Sequence, residues 1–214
     1  MKKKVDVMED IYARNDQIAG DIQKDLTARG LFAVNVMGAP GTGKTSCLIR
    51  IIERLDGVKV YVVEGDIQSD IDTQKLTALG IESVQINTGG ACHLDSPVIK
   101  NALDKLDLSQ KGVVFIENIG NLVCPAEFNI GEHIKVLIST VTEGADKPYK
   151  YPLAFEKARL IILNKTDLAP YVDFDRAYFE QGVRALNPEA PIFEVSAKTG
   201  AGFDEVALWL KSRL

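Results

Sequence analysis

Apolar residues in this chain fall into short unbroken runs, and between the runs they recur every three or four positions. Unbroken runs of this length read as buried strands, and spaced ones as amphipathic helices. Residues 31–37, 58–63, 83–86, 113–116, 135–141, 160–163 and 192–195 are the strand candidates. The run Val113-Val114-Phe115-Ile116 holds no polar position, which places it centrally in a sheet. Helices are expected over 46–55, 71–78, 96–106 and 204–211. In the first, Leu48, Ile49, Ile51, Ile52 and Leu55 make one stripe; the second stops at Gly80, a C-terminal cap. In the last, Val206, Leu208, Trp209 and Leu210 are expected to pack partly inward. Residues 6–29 are polar, with Ile11, Ile18, Ile22 and Leu26 interspersed, and predict an amphipathic helix lying on the domain ahead of the first strand. Apolar strands alternating with helices imply an α/β fold of three layers, Rossmann-like, with a mainly parallel sheet covered on both faces. Ligands of such sheets gather beyond the carboxyl ends of the strands, and the polar clusters of this chain follow strand ends.

The length of 214 residues suits one domain, 1–214, with 1–30 as a helical extension, because no Pro/Ser/Gly-rich linker divides it. A net charge of −5 without a basic face argues against a nucleic-acid partner, and Lys2-Lys3-Lys4 reads as a solvated tail. No apolar run approaches the about 20 residues of a membrane span, and no signal peptide precedes the first helix. Three cysteines are too few for a disulfide framework, so a cytoplasmic, reducing environment is expected.

Chemistry enters at Gly38-Ala39-Pro40-Gly41-Thr42-Gly43-Lys44-Thr45, which matches G-x-x-x-x-G-K-[ST] between a strand and a helix. Glycines there let backbone N–H groups, those of Gly41, Thr42, Gly43 and Ser46 among them, turn towards phosphate oxygens at a helix N-terminus. Lys44 is placed to reach the β- and γ-phosphates and the Thr45 hydroxyl to ligate Mg²⁺. The expectation is a P-loop NTPase.

The base is indicated by Asn164-Lys165-Thr166-Asp167, an N-K-x-D motif after strand 160–163. A carboxylate at Asp167 accepts from the N1–H and 2-amino group of guanine, a donor pair that adenine lacks. Asn164 and Lys165 brace that loop, and Ser196-Ala197-Lys198 resembles the S-A-K element that supports guanine. GTP and GDP are thus the expected ligands. For Mg²⁺ and water, Glu117 stands where an Asp usually ends the central strand, and Asp66 ends the second strand. Lys44, Asp66 and Glu117 are the candidate catalytic set, Gly120 a candidate γ-phosphate contact, and Asp72 a weaker acidic candidate.

Cys92 and His93 are adjacent on a Gly-rich loop, and Cys124 lies a few residues past Gly120. Thiolate and imidazole suit Zn²⁺ and Ni²⁺. One chain offers three such ligands, so a two-fold dimer would complete the site. Because Cys124 shares a loop with Glu117 and Gly120, loss of the γ-phosphate is expected to disturb a metal ligand. Cys47 reads as a small apolar helix residue and His133 as a surface residue.

With these residues in view, the chain resembles the HypB family, GTPases of the SIMIBI class that assist nickel insertion into [NiFe]-hydrogenases. The most specific elements are Glu64-Gly65-Asp66-x-Gln68, Asn87-Thr88-Gly89-x-x-Cys92-His93-Leu94-Asp95 and Glu117-Asn118-x-Gly120-Asn121-Leu122-Val123-Cys124-Pro125-Ala126. Thr142-Glu143-Gly144-x-Asp146-Lys147-Pro148-x-Lys150-Tyr151-Pro152 is family-like too. The resemblance implies a Rossmann-like fold, a regulatory GTPase, dimerisation on GTP, and an interface metal site of Cys92, His93 and Cys124. Slow turnover is expected because no glutamine or arginine is evidently placed to orient water or stabilise the transferring phosphoryl. It implies phosphate and Mg²⁺ roles for Lys44, Thr45, Asp66 and Glu117, and guanine contacts from Asn164, Lys165 and Asp167. Its implied partners are a HypA-type metallochaperone and the hydrogenase large subunit. The N-terminal cysteine motif or histidine-rich stretch of some members does not precede Gly38 here. The urease-type nickel GTPase, which expects Cys-Pro-His, and a GTP-stabilised metal store are the competing readings.

Overall fold

The structure is a computed structural model that describes residues 7–65 and 76–214. Seven strands form one sheet: β1 (Leu31–Gly38), β2 (Lys59–Glu64), β3 (Glu82–Gln85), β4 (Gly112–Glu117), β5 (Ile134–Thr140), β6 (Leu160–Asn164) and β7 (Ile192–Glu194). Their order is β3-β2-β4-β1-β5-β6-β7, and every neighbouring pair is parallel. All seven carboxyl ends therefore open on one edge. The chain fills one side of β1 first and the other side afterwards, so the loop after β1 lies at the topological switch.

The α-helices with both ends among the described residues are α1 (Val7–Ala28), α2 (Lys44–Ile52), α3 (Ser96–Leu103), α4 (Cys124–Glu127), α5 (Lys147–Lys150), α6 (Pro152–Lys157), α7 (Arg176–Leu186) and α8 (Phe203–Lys211). Strand residues alternate between faces, so an all-apolar strand feeds two cores. Val113 and Phe115 of β4 join Val34, Val36, Leu48, Ile51, Phe203 and Val206 under α2 and α8. Val114 and Ile116 join Ala33, Tyr61, Leu26 and Ile99 on the other side, under α1 and α3. Further along that second face, Met37, Leu137, Ile161 and Leu163 pack with Phe155, Phe179 and Val183 of α6 and α7.

The predicted strands all form, with ends shifted by a residue or two. α1 buries Ile22 and Leu26 with Ile18 packed beside them, as its spacing predicts, and buries Ala19 as well; the side chain of Ile11 lies outside the described residues. Gly80, at φ +69°, donates to Thr77 O while Ile81 donates to Leu76 O, the expected cap; residues 71–75 lie outside the described part. Two expectations change. Leu208 is 71% exposed while Val206, Ala207 and Leu210 are buried and Trp209 packs beside them, because at about 100° per residue Leu208 points away from the stripe those positions form. The segment between β6 and β7, for which no helix was predicted, contains α7, capped by Asp175 accepting from Tyr178 N at 2.9 Å. Its signal was present: Phe179 and Val183 are one turn apart after an N-capping Asp.

Candidate nucleotide and metal sites

The loop after β1 turns at Gly41 (φ +77°) and Gly43 (φ +86°), left-handed conformations that glycine takes without penalty. Gly43 also meets a neighbour: a Cβ there would stand 2.9 Å from Asn164 Nδ2. After the turn α2 begins at Lys44, and its first-turn N–H groups have no intrahelical acceptor. That is the geometry that receives an anion. Thr42 is fully buried and turns both its N–H (3.3 Å) and its hydroxyl (3.0 Å) back to Ala39 O. Lys44 folds across the loop, with Nζ 3.5 Å from the same carbonyl.

Behind the loop, the Thr45 hydroxyl donates to Glu117 Oε1 at 2.8 Å. Glu117 is 2% exposed at the end of β4, and Glu64, 5% exposed, lies in register beside it on β2. These are hard oxygen donors of the kind Mg²⁺ takes. Glu64 was quoted only as part of a motif; its signal was a carboxylate at a strand's carboxyl end. Asp66 and Asp72 lie outside the described residues. Gly120 packs on the phosphate loop so closely that a Cβ would stand 3.0 Å from Pro40 Cα. Glu143, just past β5, faces the field of Lys147, Lys165 and Lys44, yet burial dominates and raises its carboxyl above the usual range.

The motif at β6 is cross-braced to the phosphate loop. Asn164 donates from Nδ2 to Thr42 O at 2.9 Å and accepts from Ala197 N at 3.0 Å. Lys165 takes φ +61° and donates from Nζ to Gly41 O at 2.7 Å. Asp167 Oδ1 accepts from Ser196 Oγ at 2.6 Å, and among the described residues no hydrogen bond is made to Oδ2. Gly43, Ser46, Lys165, Asp167, Ala197 and Lys198 line a cavity of about 370 Å³ here. A larger one, about 650 Å³, lies around Thr27, Phe32, His133 and Arg159, at the starts of β1, β5 and β6, away from these residues.

Cys92, His93 and Cys124 come together: one donor atom from each lies within 4.8 Å of the others. Cys92 Sγ is 3.2 Å from His93 Nδ1, and the His93 ring stacks on Phe128 at 3.9 Å between centroids. Burial lowers the His93 imidazole below its ordinary range, against Asp95 and Glu127. Burial and then the neighbouring Cys92 raise the Cys124 thiol. Asn121 connects this cluster to the phosphate loop. Its backbone bridges Gly38, its Nδ2 donates to Cys92 O at 3.0 Å, and its Oδ1 accepts at 3.0 Å from the N–H of Val123, the residue before Cys124.

The other cysteine and histidine stand apart. Cys47 is fully buried, and desolvation drives its thiol far above the ordinary value, in keeping with an apolar packing role. His133 corrects the surface reading. It is half-buried, its Nδ1 accepts from Ala33 N at 2.9 Å, its Nε2 is 2.9 Å from Thr27 Oγ1, and burial lowers its pKa. Those bonds join the end of α1 to the start of β1, a tertiary role that its sequence neighbours do not signal.

The CobW/HypB/UreG nucleotide-binding domain profile matches residues 32–194. Over 206 residues the chain is 46% identical to the hydrogenase maturation factor HypB of Azotobacter vinelandii, covering 96% of this chain and 68% of that protein. With HypB of Escherichia coli K12 it shares 41% over 213 residues, 99% of this chain and 73% of the relative. Among solved structures, Helicobacter pylori HypB in complex with nickel superposes with a TM-score of 0.88 at 35% identity, covering 94% of each chain. Archaeoglobus fulgidus HypB superposes with a TM-score of 0.88 at 39% identity, covering 94% of this chain and 98% of that one. The signal recognition particle receptor FtsY of Elizabethkingia anophelis, at 14% identity and a TM-score of 0.55, shares the fold alone.

Proposed function

The chain belongs to the HypB branch of the CobW/HypB/UreG family, and from that premise we propose that it is a GTP-hydrolysing nickel carrier for hydrogenase maturation. Its nucleotide state governs dimer formation and metal release. Asp167 takes the guanine N1–H and 2-amino group, its free Oδ2 completing the pair, while Asn164, Lys165 and Ser196 hold the loop in place. Lys44 and the α2 N–H groups take the β- and γ-phosphates. The Thr45 hydroxyl and Glu117 would hold Mg²⁺, whose positive charge would offset the negative charge of the phosphates. Asp66 shares the task of positioning the ion and the attacking water. Gly120, against Pro40, reports the presence of the γ-phosphate.

Nickel is cargo, held by the Cys92 and Cys124 thiolates and the His93 imidazole, with the second subunit completing the coordination; Zn²⁺ fits the same donors. A HypA-type metallochaperone and the hydrogenase large subunit are the partners this cargo requires. One observation carries the coupling: Asn121 contacts Gly38 of the phosphate loop, the Cys92 carbonyl and the N–H of Val123, next to Cys124, together. A shift of the 117–121 segment on loss of the γ-phosphate therefore moves two metal donors. Sedimentation of protein loaded with GDP or a non-hydrolysable GTP analogue, with and without Ni²⁺, tests this. The expected result is a dimer with altered nickel affinity in the GTP-analogue state. Identical mass and identical nickel affinity in both states would leave only a metal store.

A further inference from the structure

On the face beneath α1 and α3, the apolar core is not continuous. Between the cluster around Ala33, Ile99 and Ile116 and the cluster around Met37, Leu137 and Phe155 runs a seam of buried polar side chains. Lys135, on β5 and 7% exposed, gives its ammonium to Glu132 Oε1 at 2.5 Å, to Phe128 O at 2.6 Å and to Pro125 O at 3.2 Å. Glu132 accepts in turn from Asn35 Nδ2 at 3.4 Å and from Ile130 N at 2.8 Å. Asn35 Oδ1 accepts from Asn118 Nδ2 at 3.1 Å. Asn118 Oδ1 receives Leu94 N at 3.3 Å and Ile119 N at 2.9 Å.

The ends of this seam are the two segments that carry the metal donors. Pro125 follows Cys124, Phe128 stacks on His93, and Leu94 follows His93. A second clamp reaches the same two segments from α1. Asn15, 4% exposed, accepts from Ser96 N at 2.9 Å, donates from Nδ2 to Asn129 O at 2.8 Å, and its own carbonyl accepts from Ser96 Oγ at 2.7 Å. A buried ion pair with its amides is commonly no more stabilising than an apolar core of equal volume. Directed hydrogen bonds do what apolar contact does not: they set the distance and angle between two backbone segments.

We propose that Asn15, Asn118 and Lys135 are positioning residues that hold the 92–96 and 124–129 segments at the separation that brings Cys92, His93 and Cys124 into one donor cluster. The inference rests on reading that cluster as the nickel carrier. It gives α1 a purpose that a nucleotide pocket does not require: α1 aligns a metal site assembled from two loops. Asn15 is the residue to change, because it touches both segments while lying outside the phosphate and base loops.

The test uses the full chain with Asn15→Ala, and Asn15→Asp as a second variant that keeps the acceptor for Ser96 N but loses the donor to Asn129 O. Three quantities are read: the rate at which diamide closes a Cys92–Cys124 disulfide in metal-free protein, the Kd for Ni²⁺ alone, and the Kd for GDP. Asn15→Ala is expected to slow thiol closure and weaken Ni²⁺ binding by about tenfold each, the size of losing one or two buried hydrogen bonds. Asn15→Asp should lose at least as much as Asn15→Ala, because its buried carboxylate faces Asn129 O, and GDP affinity should stay within about twofold. Unchanged closure and nickel binding in both variants would overturn the proposal. So would a parallel loss of GDP binding in Asn15→Asp, which marks general destabilisation. If the parent and Cys92→Ala bind Ni²⁺ equally, the nickel reading fails, while metal-free thiol closure still decides the positioning role.

Discussion

The nucleotide pocket and the cysteine–histidine cluster are built from the same edge of one sheet but on opposite principles. The pocket braces itself: Asn164 ties to Thr42 and Ala197, Lys165 to Gly41, and Ser196 to Asp167, so its loops hold each other before any ligand arrives. Cys92 lies on a loop and Cys124 begins α4, and the segments carrying them are bonded from outside the donors, by Asn121 to Cys92 O, by Asn15 to Ser96 and by Lys135 to Pro125. Cys92 is exposed and Cys124 and His93 are half-buried, whereas Thr42 and Asn164 are buried. A preorganised pocket spends little binding energy on ordering. A cluster whose donors sit on two separately braced segments changes its donor spacing whenever one segment shifts against the other.

The sharpest way to break this comparison is at the base. Asp167→Asn should weaken guanine nucleotide binding by about three orders of magnitude and favour xanthine nucleotides, since a donor replaces an acceptor opposite N1–H. Competition between fluorescent GDP and XDP measures it, and equal loss of both would mean that Asp167 supports the loop rather than reads the base. Lys44→Ala comes next, with about a hundredfold loss of GTP affinity from one missing charge-assisted contact. Isothermal titration should show nickel affinity in the nucleotide-free protein hardly altered. Cys92→Ala should cost about tenfold or more in Ni²⁺ affinity while GDP affinity stays within about twofold, if the cluster and the pocket are separately built. Loss of both together would collapse the distinction.

The smallest effect concerns neither site. His133→Phe removes the bonds to Ala33 N and Thr27 and should cost about 1–2 kcal/mol in urea unfolding at neutral pH. Burial lowers the folded pKa of His133, so its contribution is present above the ordinary histidine value and is lost as the pH falls through that value towards the folded one. The gap between parent and variant should therefore narrow in acid. A gap that widens there would mean that His133 is held in its charged form, against the geometry.

Much of the pocket was legible because its chemistry is local. Gly41, Gly43, Lys44 and Thr45 are consecutive or nearly so, and Asn164, Lys165 and Asp167 form one short motif whose strand is fully apolar. Element positions followed from the same locality, and the errors fell where it fails. α7 begins in a polar stretch whose buried residues are few. Leu208 was expected partly inward with Val206, Trp209 and Leu210, but helix geometry turns it to solvent.

From the order of residues alone came the parallel sheet, the phosphate loop, the guanine motif and the pairing of Cys92 with His93, since each depends on groups within a few positions or on a strand's own pattern. Cys124 was grouped with them by its place after Gly120 and by the family resemblance; the folded chain added the geometry, with one donor from each residue within 4.8 Å across more than thirty positions of sequence. It also decided that Asn15, Asn118 and Lys135, unremarkable as single letters, meet at the segments carrying those donors. Hydrogen bonds between distant segments leave no periodicity behind, because their partners are chosen by how strands and helices stack and not by spacing along the backbone.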